Sequence, residues 1–196
     1  MIAAVNWLKQ EHPSQSSIVV GLGSSQGAMA LALAAAEDSR IDVVVLDSPF
    51  TSPRDLLYDK ARHVPLAGPL VADWLLALAS VQTGTDFFGV SAERAVASLH
   101  DRPVFVIHGD EDVMMPASQS QRLYDAAPGP KAIWFGPGPH SNIITTEPDE
   151  YGRRLFAFLD KHLGPAPLPA SLRRRRAISL PATTQATEPS TAPSGV

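Results

Sequence analysis

A chain of 196 residues with 44% hydrophobic side chains can bury one domain core, and no apolar run approaches the roughly 20 residues that a spanning helix needs. The net charge of −4 divides into +3 for residues 165–196, where Arg173 to Arg176 face the single acid Glu188, and −7 for the remainder. An acidic body argues against a nucleic-acid groove, and the absence of cysteine excludes disulfides and thiolate metal sites. The opening residues carry no basic segment and no A-x-A site, so no signal peptide is read and a cytoplasmic location is expected.

In chain order, "SIVVGLG" reads as a buried strand and "GAMALALAAAEDS" as an alanine- and leucine-rich helix ending near Asp38 and Ser39. "IDVVVLDS", "PVFVIHG" and "KAIWFG" read as three further strands. All are apolar throughout, which suits a parallel sheet covered on both faces, and the helices between them give an α/β class with about four parallel strands. About fifty residues separate the second strand from the third, enough for one crossover helix plus a small helical excursion containing "GPLVADWLLALAS". Trp74, Leu75 and Phe87 in that insertion suit either an acyl chain or core packing. Toward the end, Thr146 and Asp149 suggest a capping box, Pro148 suits a first turn, and Tyr151, Leu155, Phe158, Leu159 and His162 recur at helical spacing. Residues 1–164 are taken as the folded domain. Residues 165–196, rich in Pro, Ala, Thr and Ser, are expected to be disordered.

The stretch "GLGSSQGAM" sits at a strand-to-helix junction, which leaves two chemical readings. A dinucleotide turn wants G-x-G-x-x-G, but residue 26 is Gln26 and the third glycine comes one place late, at Gly27. A phosphate-binding P-loop fails for want of Gly-Lys-Ser/Thr. The pattern G-x-S-x-G is satisfied in one register, by Gly23, Ser25 and Gly27. It describes a sharp turn that thrusts a serine hydroxyl out of the sheet and aims the first helical N–H groups at a developing oxyanion, with Gln26 as one donor. Glycine is expected at both flanking places because a side chain at either should clash. A serine nucleophile needs a base, and the base an orienting acid, on loops after later strands. "HGDEDVMMP" offers Asp110, Glu111 and Asp112; "GPGPHSN" offers His140. Asp47, after the second strand, is a further candidate acid, with a turn or cap role as its plainer reading. The six histidines include no H-x-x-x-H pair, which argues against a zinc site, and neither a metal nor an organic cofactor is implied, because acyl transfer by a serine triad needs neither.

Taken together, "GLGSSQG", "VFVIHGDEDVMMP" and "GPGPHSN" resemble the α/β-hydrolase superfamily, and within it serine hydrolases of the dienelactone-hydrolase, prolyl-oligopeptidase-like and serine-aminopeptidase-like groups. The resemblance implies a strand-H-G-x-x-D-x-x-x-P segment in which Asp112 is the acid, with His108, Gly109 and Pro116 as flanking marks and His108 not catalytic. It likewise implies His140 as the base and Ser25 as the nucleophile, acting on a small ester, amide or peptide. Such folds normally carry further strands ahead of the nucleophile strand, whereas here that strand comes first, as though roughly the first third of the fold were missing. Two expectations follow. The nucleophile strand should present an apolar edge that favours self-association, and one oxyanion donor should be lacking. Function is left between a serine hydrolase, entire or as a fragment, and a catalytically impaired remnant acting as an interaction protein.

Overall fold

A computed structural model describes residues 1–61, 64 and 67–164; the expected disorder of 165–196 lies outside the described residues. The elements run α1 (Ile2–Glu11), β1 (Val20–Ser24), α2 (Gln26–Glu37), β2 (Val43–Asp47), α3 (Pro53–Ala61), α4 (Gly68–Thr83), α5 (Ala92–Ala97), β3 (Val104–Gly109), α6 (Ala117–Ala126), β4 (Lys131–Gly136), α7 (Ile143–Thr146) and α8 (Pro148–Leu163). The four strands form one parallel sheet in the order β1-β2-β3-β4. This is the α/β architecture expected from the apolar runs.

Side chains alternate between two cores. Val44, Leu46, Val104 and Val106 face α2, α5 and α6 through Ala28, Leu31, Val96, Leu99 and Leu123. Val43, Val45, Phe105 and Ile107 face α7 and α8 through Ile143, Tyr151 and Phe158. All five β2 residues are buried, and its first four, Val43 to Leu46, are apolar with no polar alternation, as burial on both faces requires. Burial of each such large aliphatic side chain contributes about 1.5–3 kcal/mol. The end of α2 is tied to the sheet by Arg102, whose guanidinium donates to the carbonyls of Ala35 (2.6 Å), Asp38 and Ile41. The carbonyl of Ala35, in the last turn of α2, is one that a helix end leaves without an intrahelical donor; Asp38 and Ile41 belong to the turn that leads into β2.

Three local expectations are corrected. The first strand is not buried: Val20 is 39% and Leu22 46% exposed. They stand in register with Val43 and Val45, on the face of β1 opposite α2, and neither joins the core cluster beneath α7 and α8. Thr146 does not cap α8; it closes α7, and its hydroxyl donates back to the carbonyls of Pro137 and Asn142. The N-cap position of α8 falls to Glu147. Finally, Trp74 and Leu75 are exposed and so are not core residues. The segment between β2 and β3 divides into α5, the crossover helix against α2 and α6, and the α3–α4 pair, which is the excursion. Gly84, at φ +70°, ends α4 in the left-handed region.

Candidate active site

The site is built at the C-terminal ends of the strands, where open α/β sheets gather their chemistry. Ser25 lies between β1 and α2 with φ 52° and ψ −118°, a strained conformation for a residue with a side chain. Its N–H donates to the carbonyl of Asp47 at 2.8 Å, which fixes the turn against β2. Gly23 is obligatory: a Cβ there would sit 2.4 Å from the Gly27 carbonyl oxygen and 2.8 Å from the Ala28 nitrogen. The expectation for Gly27 is corrected, since a Cβ there meets nothing within 4 Å among the described residues. The turn brings the backbone of residue 27 against the Cα of residue 23, so the steric demand falls on one glycine only. Gln26 opens α2, and its N–H is among the first-turn donors without an intrahelical acceptor.

The acid and base loops are stitched together. Gly109 closes β3, and a Cβ there would lie 2.3 Å from the carbonyl oxygen of Gly138, so only glycine admits the histidine loop at this distance. Glu111 N–H donates to that same carbonyl (3.1 Å), while Gly138 N–H donates to Asp110 Oδ1 (3.2 Å). Asp110 is thus occupied in holding the loop. Asp112 turns inward: its Oδ1 accepts the N–H groups of Met114 and Met115, both at 2.8 Å, and its side chain is fully buried. Its Oδ2 lies 2.6 Å from His140 Nδ1, and His140 Nε2 lies 2.9 Å from Ser25 Oγ. A carboxylate only accepts, so Nδ1 carries the proton and Nε2 is the acceptor facing the serine hydroxyl. Of the three acids after β3, Asp112 is the one that reaches the imidazole. The arrangement can draw a proton from Ser25 onto His140 while keeping the resulting imidazolium beside a buried carboxylate.

Two further polar groups lie behind this chain. His108 is wholly buried, with Nδ1 2.9 Å from Ser120 Oγ and Nε2 3.9 Å from Asp112 Oδ2. Burial holds its imidazole below the usual histidine range, against the pull of Asp112. Asp47 is more than a turn residue. It is buried, and its carboxylate accepts from Ser48 Oγ (3.1 Å) and from the Tyr151 hydroxyl (3.2 Å). Burial pushes its carboxyl up, partly offset by those two hydrogen bonds and by His140. The sequence signals Asp47 as a polar end to a hydrophobic strand, but its partner Tyr151 lies more than a hundred residues away and carries no motif.

The α3–α4 excursion is anchored beside the acid loop. Lys60 Nζ donates to the Val113 carbonyl at 3.4 Å, and Gln119 Nε2 donates to Asp59. Val113, Met114, Leu70 and Trp74 all expose apolar surface. A groove of about 330 Å³ between β4 and α8, lined by Phe105, Lys131, Trp134 and Arg154, belongs to the β4 edge and shares no residue with the Ser25 site. Among the described residues no cluster of three His, Asp or Glu could hold a metal ion, and no helix is long and apolar enough to cross a membrane.

Comparison with known proteins follows the same lines. The uncharacterized protein YqkD of Bacillus subtilis (strain 168) is 31% identical over 145 residues, 70% of this chain and 46% of YqkD. A Pyrococcus furiosus esterase superposes with a TM-score of 0.60 at 25% identity, covering 83% of this chain and 60% of the esterase. A Pyrococcus horikoshii acylaminoacyl peptidase shares the fold, with a TM-score of 0.59 at 15% identity, covering 87% of this chain and 28% of the peptidase. The chain thus spans less than two thirds of the length of each of these proteins. Residues 1–165 match the prolyl oligopeptidase family. With that match over most of its length, and with an α/β-hydrolase sheet carrying its serine turn, the chain belongs to the prolyl oligopeptidase family.

Proposed function

We propose that this chain carries the catalytic centre of a serine hydrolase acting on a small-molecule ester, an amide or a peptide. The observation that carries the reading is the continuous hydrogen-bonded chain from Asp112 through His140 to Ser25, at 2.6 and 2.9 Å. In this reading Ser25 Oγ attacks the substrate carbonyl while His140 Nε2 takes its proton. The carbonyl oxygen becomes an oxyanion beside the Gln26 N–H at the start of α2. Collapse of the tetrahedral species breaks the bond to the leaving group, which receives the proton from His140. The acyl group stays on Ser25. Water, deprotonated by His140, then attacks the acyl carbon; the bond to Ser25 Oγ breaks, the carboxylic acid leaves and His140 returns its proton to Oγ. Asp112 stays ionised, fixes the tautomer and stabilises the imidazolium. No cofactor is needed for this chemistry.

The decisive experiment is intact-mass analysis after incubation with a fluorophosphonate probe, with Ser25→Ala alongside and circular dichroism to verify folding. One adduct on the parent and none on the variant is expected. A folded parent that takes no adduct would overturn the reading. The exposed apolar edge of β1 favours a second one, in which the chain serves as an interaction protein through that edge and hydrolyses nothing. A folded, unlabelled parent that self-associates would support it.

A further inference from the structure

The dipeptide Asp47–Ser48 touches three parts of the site. Through its backbone, Asp47 accepts the Ser25 N–H (2.8 Å) and Ser48 donates to the Ile107 carbonyl (2.8 Å). Through its side chain, Ser48 Oγ accepts the N–H of Ser141 at 3.0 Å. Ser141 directly follows His140. Ser48 is fully buried, and its hydroxyl rotor is set from behind, because its proton is donated to Asp47 Oδ1. Asp47 is in turn held by the Tyr151 hydroxyl on α8. A hydroxyl is suited to this place because it donates and accepts at once. With its proton committed to a carboxylate, its lone pairs face the Ser141 N–H.

Ser141 sits at φ +55° and Ser48 at φ +48°. Residues other than glycine persist in that region only where their surroundings hold them there. We propose that Ser48, braced by Asp47 and Tyr151, is a positioning residue for His140: it pins the Ser141 N–H so that the left-handed turn presents Nε2 to Ser25. The proposal rests on the triad reading above. It differs from giving Asp47 the role of orienting acid for the imidazole, since His140 Nδ1 is bonded to Asp112 and the Asp47 oxygens accept from Ser48 and Tyr151.

The test uses the full chain with Ser48→Ala, Ser48→Gly, Asp47→Asn and Asp112→Asn. The readouts are the labelling rate with a fluorophosphonate, kcat and KM for p-nitrophenyl acetate, thermal melts, and the proton resonance of His140 Nδ1–H. Displacing a reacting group on the order of 1 Å costs about 10²-fold. Ser48→Ala and Ser48→Gly should therefore lower kcat and labelling by about 10²-fold with KM within about twofold, and should shift or broaden the imidazole proton. The glycine variant relieves the left-handed backbone while deleting the hydroxyl, so a folded, slow Ser48→Gly separates positioning from stability. Asp47→Asn keeps an acceptor for the Ser48 hydroxyl and should lose far less than Asp112→Asn. A folded Ser48→Gly with parental labelling and an unmoved imidazole proton would overturn the proposal, as would an Asp47→Asn loss equal to that of Asp112→Asn. If the parent does not label at Ser25, the triad reading fails, and the imidazole proton alone then decides the anchoring.

Discussion

Replacing Asp112 by asparagine removes one charge while leaving the outline of the acid loop unchanged. The outcome can be worked from the contacts. The amide has one oxygen, and two sets of partners compete for it: the N–H groups of Met114 and Met115, each at 2.8 Å, and His140 Nδ1 at 2.6 Å. Facing the oxygen toward His140 would set the amide NH2 against two backbone donors and lose two hydrogen bonds, each worth about 1 kcal/mol net. The oxygen therefore stays with the backbone and the NH2 faces Nδ1. The imidazole must then accept at Nδ1 and carry its proton on Nε2, where it points at Ser25 and cannot act as a base. A wrong tautomer of this kind in a serine triad costs about 10⁴-fold in kcat, or about 5.4 kcal/mol of transition-state stabilisation. Initial rates on p-nitrophenyl acetate and the labelling rate with a fluorophosphonate measure it, with circular dichroism as the check on folding. A loss smaller than about tenfold would refute the reasoning, as would a larger loss from Asp110→Asn than from Asp112→Asn.

Other outcomes follow from the same contacts. Gly23→Ala should abolish labelling and lower the melting temperature, because its methyl group meets the Gly27 carbonyl at 2.4 Å, whereas Gly27→Ala should be tolerated; equal damage from both would contradict the elbow geometry described here. Asp38, bonded to Arg40 at the end of α2, has its carboxyl lowered from the ordinary 3.8 to about 2, chiefly by that guanidinium. Since its folded pKa is depressed, the stability it contributes is present above pH 3.8 and is lost as pH falls toward 2. Arg40→Ala should thus lower the melting temperature at pH 7 by a few degrees and by clearly less below pH 2; a pH-independent effect would assign Arg40 another role. Leu22→Lys places a charge on the open edge of β1, and sedimentation should show less self-association than in the parent; a parent that stays monomeric at high concentration would remove that expectation.

The order of serine, acid and histidine was legible because each lies just beyond a hydrophobic run, and parallel strands deliver all such points to one end of the sheet. Gly23 could be singled out because close backbone approach admits no other residue, whereas Gly109 was only a mark of the resemblance, and its approach to the Gly138 carbonyl appears in the structure. The strands themselves were legible as short, mainly apolar runs rich in Val, Ile and aromatic residues, a pattern that suits two-sided burial. Burial itself was not. Val20 and Leu22 read like Val43 and Val45, yet they are exposed, because exposure depends on what stands beside a strand and not on its own residues. Among Asp110, Glu111 and Asp112 the residue types alone left the choice open, and only the family resemblance pointed to Asp112. That choice is made by a turn that spends Asp110 on the Gly138 N–H and points Asp112 inward. The Ser48 contact with Ser141 spans 93 residues. No local pattern encodes such a contact; it exists because folding brings the end of β2 under the histidine loop, and a buried N–H must find an acceptor.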